Sequence, residues 1–291
     1  MKDLTNQQKG SLMAFVAVMF ITPDSLFIRL SSVDTWGLVF YRGAIPFVVV
    51  LLGMLIIYRL SFFKLLLGNS IYGLSYIFTF SLTNITFVIS IQNTNVANTL
   101  VMIALAPMLS AIFGTIFLKE KPDRNTIIAI IITFISVLYI FYDSVKVGNI
   151  LGDILGFITA IGLAAGATII RAGKKFNLVP SAVVGKLMVA IVALFFIDSF
   201  ELKNNDIFII PTMCILCVAI PFVLVTIAPR YITGAEVNLF FLLETIFGPI
   251  WVWFVIKEQP SLETIQGGII IILTIAVHSF LAIKKTQLKS T

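Results

Sequence analysis

The sequence predicts an all-α polytopic membrane protein of ten transmembrane helices, arranged as two inverted five-helix repeats. Three observations predict it: the scarcity of charge, the spacing of the apolar runs, and a Lys-Glu-x-Pro turn that recurs half a chain later. Of the 291 residues, 59% are hydrophobic and only 12% charged, and the mean hydropathy is +1.07. A soluble domain carries about 25% charged residues, so half that charge cannot cover a water-facing exterior. Most of the exterior must face hydrocarbon, which excludes a soluble enzyme, a nucleic-acid binder and a disordered chain. The net charge of +6 does not call for nucleic acid, because membrane proteins collect Lys and Arg in cytoplasmic loops. Two cysteines rule out a disulfide framework.

Crossing ~30 Å of hydrocarbon takes roughly 20 apolar residues. Runs of that kind fall at 11–30, 35–58, 68–89, 95–117, 125–142, 151–170, 180–198, 207–229, 235–256 and 263–283. Trp36 and Tyr58 bracket the second run, and Tyr139 and Tyr142 close the fifth, as interfacial aromatics do. The first run contains Pro23–Asp24 and no small-residue cleavage site, so it reads as a retained helix and not a signal peptide. Every connection is short, and only helices of this length satisfy their own backbone in lipid. With a cytoplasmic N-terminus, the inside segments hold 14 basic residues, among them Lys9, Lys64, Lys119, Arg171 and Arg230. The outside segments hold only 4, Arg29, Lys146, Lys203 and Lys257. That bias predicts a multi-pass protein of the cytoplasmic (inner) membrane with both termini in the cytoplasm.

The repeat is read from the chain itself. FGTIFLKEKPDRNTIIAIIITFISVLYI from Phe113 and WVWFVIKEQPSLETIQGGIIIILTIAVHS from Trp251 both run apolar helix, Lys-Glu-x-Pro, apolar helix. Lys119, Glu120 and Pro122 match Lys257, Glu258 and Pro260 at a constant offset of 138 (257 − 119), nearly half the chain. Two halves, 1–146 and 147–291, then hold five spans each, and an odd count sets them in opposite orientations. Inverted repeats of this kind are a transporter signature, since two halves can rock about a site at the midplane.

The segments VANTLVMIALAPMLSAIFGTIFLKEKP at 96–122 and AEVNLFFLLETIFGPIWVWFVIKEQPS at 235–261 resemble the EamA-like members of the drug/metabolite transporter superfamily, as does FYRG at 40–43. The resemblance implies ten helices in two inverted repeats, each repeat with a helix bearing a central Pro, and transport of small organic metabolites without a cofactor. One departure is Glu244–Thr245, where many members read Glu-Pro; the helix break is then expected at Gly248–Pro249.

Ionisable groups inside the bilayer cost several kcal/mol and mark candidate sites. Asp24 and Arg42 lie roughly 9 and 10 Å below the outer ends of adjacent spans, which predicts an ion pair. Lys186 and Glu244 lie ~9 and ~13 Å from the inner ends of theirs, which allows a second. Glu244 is the deepest charge, and it is the candidate for contact with substrate or with a coupling proton. Pro23, Pro107 and Pro249 are expected to break helices, the last two in corresponding helices of the two repeats; Pro46 and Pro221 also fall within spans. The polar run QNTNVANT at 92–99 makes Asn98 a candidate cavity residue, with Asn84 and Asn238 behind it. Tyr76, Phe240 and Phe241 are candidates to stack on a planar or cationic solute.

Other signals carry less. Cys214 and Cys217 sit in an apolar run without a second ligand pair, so packing explains them better than a metal. His278, in the last span, fits no catalytic role, and Gly152, Gly156, Gly162 and Gly166 form small-residue ridges suited to close helix approach. No P-loop appears, so ATP is not the energy source within this chain. The sequence therefore points to a secondary transporter working by alternating access, with a polar metabolite such as an amino acid or amine as substrate and the lipid bilayer as its surroundings. Its rivals are a membrane-embedded enzyme on a lipid-linked substrate and a non-transporting scaffold.

Overall fold

The first helix begins where Thr5 and Gln8 cap one another reciprocally, side chain to backbone amide in both directions, which satisfies two of the donors left open at a helix start. This helix, α1 (Asn6–Ile21), stops at Thr22–Pro23, and α2 (Asp24–Leu30) completes the pass. Proline brings no N–H to the ladder, and the Thr22 hydroxyl instead donates to Met19 O at 3.0 Å. Asp34 accepts from the amides of Trp36 and Gly37, both at 3.0 Å, and starts α3 (Thr35–Tyr58). A short amphipathic helix, α4 (Ser61–Gly68), with Phe62 buried and Leu67 exposed, leads into α5 (Ser70–Asn93). The structure is a computed structural model describing residues 5–59, 61–120, 123–144, 150–203, 205–257, 262–263, 265–271, 273–274 and 277. Pro122, Lys146, Glu258, Pro260, His278, the expected boundary at 146/147 and much of the tenth apolar run lie outside the described residues.

The fourth pass is interrupted. α6 (Val96–Ile103) ends at Ala104–Leu105, and α7 (Ala106–Leu118) restarts with Pro107 in its first turn, a position where its missing N–H costs nothing. α8 (Arg124–Ser144), α9 (Ile150–Ala172) and α10 (Val179–Leu194) follow. The eighth pass changes its winding three times: α11 (Asp206–Thr212), a π-helical stretch at Met213–Ala219, α12 (Ile220–Ile227) and a 3₁₀ turn at Ala228–Arg230. π-helical stretches are rare and frequently found at functional sites. The ninth pass, α13 (Gly234–Ile256), opens on a Thr233–Glu236 capping box. Among the described residues, seven passes are long and apolar enough to cross a membrane, and Arg124–Ser136 and Val179–Leu194 are shorter apolar helices. Nine of the ten apolar runs thus hold described helices where the sequence placed them.

One expected break is absent. Pro249 lies inside an uninterrupted α13. At the repeat offset of 138, the partner of Pro107 is Thr245 (107 + 138), which keeps its N–H. Dense packing surrounds the unbroken helix at the proline: a Cβ on Gly248 would meet Leu100 Cδ1 at 2.5 Å, and the Thr245 hydroxyl donates to Leu100 O at 3.2 Å. The continuous helix thereby supports the backbone of α6 close to its break.

Helices of the first half interleave with those of the second, α5 against α9 and α10, α3 against α10, α1 against α12 and α13, and α7 against α9 and α13. The α5–α9 seam is close because α9 presents glycine: a Cβ on Gly162 would overlap Thr83 Oγ1, and one on Gly152 would meet Thr94 Cβ at 2.7 Å. Along the same seam the Thr86 and Thr159 hydroxyls share a 2.8 Å hydrogen bond, and Ser90 donates to Gly152 O at 2.7 Å. Outer faces carry exposed apolar side chains such as Ile56, Phe78, Phe117 and Phe208, while Asp24, Arg42, Lys186 and Glu244 are buried. That polarity, apolar outside and charged within, is the arrangement hydrocarbon imposes.

Where α3 meets α10 the backbones touch: a Cβ on Gly43 would lie 2.6 Å from Ala190 N and 2.8 Å from Lys186 O. Gly53, on the same helix, has nothing within 4 Å of that position. Gly43→Ala is therefore expected to destabilise the fold by about 1–3 kcal/mol, and Gly53→Ala to leave it unchanged or slightly firmer. Thermal unfolding of the two variants in detergent checks the difference.

Candidate functional site

Between the interleaved helices lies a cavity of about 120 Å³, lined by Asp24, Arg42, Asn84, Lys186, Glu244, Phe80, Phe87, Phe222 and Phe241, with Thr83, Thr159 and Cys217 among its other walls. That space admits several waters. Each polar group is set there by a local feature. Asp24 is the first residue after the Pro23 break, so its carboxylate faces Arg42 of α3, which donates two hydrogen bonds at 2.5 and 2.8 Å. The ion pair expected from matched depth is present, and its guanidinium also lies 5.6 Å from the centre of the Phe87 ring.

Lys186 is 0% exposed. Its ammonium donates to Asn84 Oδ1 at 2.5 Å and stands 5.3 and 5.7 Å from the ring centres of Phe80 and Phe222, a separation at which a cation is drawn to the face of an aromatic ring. Asn84 is itself held by its amide nitrogen on Phe80 O at 2.8 Å. The second ion pair expected from depth, Lys186 with Glu244, does not form. α10 packs directly on α5, and the α5 face that meets Lys186 carries Asn84. Glu244, 3% exposed, keeps Oε1 without a hydrogen-bond partner among the described residues.

Other candidates fall in two further places. Tyr76 and Asn238 line an adjoining cavity of about 70 Å³ that shares Phe80, Thr83, Asn84 and Phe241 with the first. There the Tyr76 and Thr226 hydroxyls share a 3.0 Å bond, and Asn238 donates to Ser110 at 2.6 Å. Ser110 in turn lines a third space of about 220 Å³, walled by Gly114, Glu120, Thr233 and Glu236 at the end of the bundle that holds the Lys119 turn. The Asn238–Ser110 bond thus stands between the adjoining cavity and this vestibule. Asn98 does not line the central cavity; it donates to Thr94 at 3.1 Å, beside the Thr94–Asp153 bond at the opposite end. Of the three proline candidates, Pro23 and Pro107 sit at breaks and Pro249 does not.

The sequence reading missed the rings around the cations, Phe80, Phe87 and Phe222, and the lining role of Cys217. A signal existed for two of the rings: Tyr76, Phe80, Thr83, Asn84 and Phe87 recur at helical spacing, one face of α5.

A family profile described as the EamA-like transporter family matches residues 8–142 and 150–280. The chain belongs to the EamA-like transporter family. With its apolar helices it is a multi-pass membrane protein. No curated protein matches the sequence. One solved crystal structure, described only as that of a protein, is similar in fold with a TM-score of 0.74, covering 94% of this chain and 98% of its own at 13% identity.

Removing one partner of a buried ion pair strands the other, at about 3–5 kcal/mol. Asp24→Asn is expected to lower stability on that scale, and Asp24→Asn combined with Arg42→Gln to recover part of the loss. Melting curves of the purified variants, compared as a double-mutant cycle, check this.

Proposed function

We propose that this EamA-family transporter is a ten-helix secondary carrier that moves a small polar organic metabolite, of the amino-acid or amine kind, across the cytoplasmic membrane by alternating access. The observation that carries the reading is the cavity that Asp24, Arg42, Lys186 and Glu244 line together between helices of both halves. Charges so placed cost several kcal/mol; the closed Asp24–Arg42 pair can serve packing, but a scaffold has no use for Lys186 and Glu244, which pair with no opposite charge among the described residues. Glu244 and Lys186 are the groups we assign to substrate, with a proton as the candidate coupling ion at Glu244, and Phe241, Tyr76 and Asn238 as walls of the route. Asp24 and Arg42 shape the same site, whereas Asn98 supports the closure at the far end.

The packing supports two inverted repeats, 1–146 and 147–291. Counting passes in order, the third packs on the sixth and the first on the eighth, a relation that survives exchange of the halves; the second packs on the seventh and the fourth on the ninth, which exchange onto themselves. The first Lys-Glu turn follows α7 beside the start of α13, whereas the second follows the far end of that 23-residue helix, as an inverted pair requires.

Lys119, Arg171, Lys174 and Arg230 gather toward the vestibule end, where Arg171 pairs with Glu120 and Arg230 donates to Lys174 O, and the basic-residue bias assigns that end to the cytoplasm. The external end is then the latched one: the buried Asp206 carboxylate accepts from Ser32 N at 3.1 Å and from the Ser32 hydroxyl, and Arg29 donates to Thr94 O at 2.8 Å. Alternating access needs this latch and the Asn238–Ser110 partition to open in turn.

Cys217 borders the cavity, while Cys214 is fully buried with its thiol on Tyr41 O at 3.4 Å. In a Cys214→Ala background, a small membrane-impermeant thiosulfonate is expected to label Cys217 from either side of oriented vesicles. Labelling from one side alone rejects alternating access. Glu244→Gln assayed in proteoliposomes is expected to slow flux at least tenfold and to alter its pH dependence; unchanged flux and pH dependence remove Glu244 from the route.

A further inference from the structure

The four buried charges of the cavity are not equivalent. Asp24 and Arg42 close on each other through two hydrogen bonds. Lys186 has no carboxylate within ion-pair distance among the described residues, only the neutral Asn84 and two aromatic faces. Glu244 has a buried oxygen, Oε1, with no hydrogen-bond partner among the described residues. One basic and one acidic side chain therefore face a common space, neither within ion-pair distance of an opposite charge among the described residues, and both come from the second half of the chain. Buried charge left uncompensated is costly, so the occupant that removes most of that cost carries one group of each sign. An amine alone leaves Lys186 uncompensated, and an acid alone leaves Glu244 so. The remaining walls are aromatic and aliphatic, Phe80, Phe87, Phe222, Phe241, Leu163 and Val225, and suit an apolar body.

Resting on the transporter reading above, we infer that the cavity selects a net-neutral zwitterion with an apolar body, whose carboxylate binds the Lys186 ammonium and whose ammonium binds the Glu244 carboxylate, while Asp24–Arg42 stays paired. The two subsites are divided by sign, and removal of one abolishes discrimination for one group of the cargo only.

The test is ligand-dependent stabilisation of the purified full chain, measured as a shift in melting temperature with concentration. The probes are L-leucine, L-methionine and L-phenylalanine, each with its decarboxylated amine and its deaminated acid. In the unmodified protein at least one of the zwitterions is expected to half-saturate at a concentration at least about tenfold below its amine and its acid, since a hydrogen bond to a charged group contributes at that level. In Glu244→Gln the acid should bind within about threefold of the zwitterion; in Lys186→Met the amine should, while Lys186→Arg restores the preference. Equal binding of all three forms, binding of the amine or acid alone, or variants that weaken all three alike overturns the inference. So does an absence of stabilisation by every zwitterion. Uptake of labelled metabolites into proteoliposomes tells the two failures apart: flux of some other solute above protein-free vesicles leaves the carrier reading standing, and none removes it as well.

Discussion

A guanidinium and a carboxylate inside a hydrocarbon slab can exist only face to face and walled off from lipid, and the architecture follows from that requirement. The Arg42–Asp24 pair, 5% and 2% exposed, joins the second pass to the first at the point where Pro23 ends α1. Desolvating such a pair costs nearly as much as its attraction returns, so it adds little net stability and a great deal of constraint: α2, α3 and α5 must all stand where they do for the pair to be enclosed. Those positions in turn fix the wall on which Lys186 rests and the pocket into which Glu244 projects.

Enclosure is achieved with small residues and hydroxyls. Glycines on α9, and Gly43 on α3, let backbones approach to where another residue would collide. Threonine and serine hydroxyls at those seams return hydrogen bonds to their own helices, as Thr83 does to Thr79 O and Thr159 to Leu155 O, and a few reach across. In lipid, where burial of apolar surface gives no drive to associate, such packing and hydrogen bonding hold helices together. The breaks at Pro23 and Ala104–Leu105 and the π-helical stretch that contains Cys217 lie near the cavity or against α13. Backbone of that kind is tolerated at membrane depth only where protein or a polar cavity satisfies it.

How much of this was legible in the sequence depends on which coordinate a residue pattern encodes. Run length and charge bias give position along the membrane normal, so nine of the helical passes, the interrupted first and fourth among them, and the Asp24–Arg42 pair could be read directly. Azimuth around a helix is encoded far more weakly. Depth alone allowed Lys186 to meet Glu244, but the face of α5 that α10 packs on carries Asn84, and the lysine ends there. Pro249 was misread for a related reason: proline removes one hydrogen bond, and whether a helix breaks there depends on the neighbours, here Leu100 and Ser25 against Gly248. Asn98 was placed by depth within its span, yet its side chain belongs to the Thr94 cluster at the end of the bundle.

The account reduces to a claim that one charged cavity is sealed alternately by the Asp206 latch at one end and the Ser110–Asn238 partition at the other. Electron–electron distance measurements on two spin-label pairs test it most directly, one spanning Asn93 and Ser199 at the latched end and one spanning Gln8 and Lys174 at the vestibule end. In liposomes the account predicts two populations of each distance whose weights move in opposite senses when a transported solute is added, one end widening as the other narrows. A single unchanging distance at both ends, or both ends widening together, would contradict it.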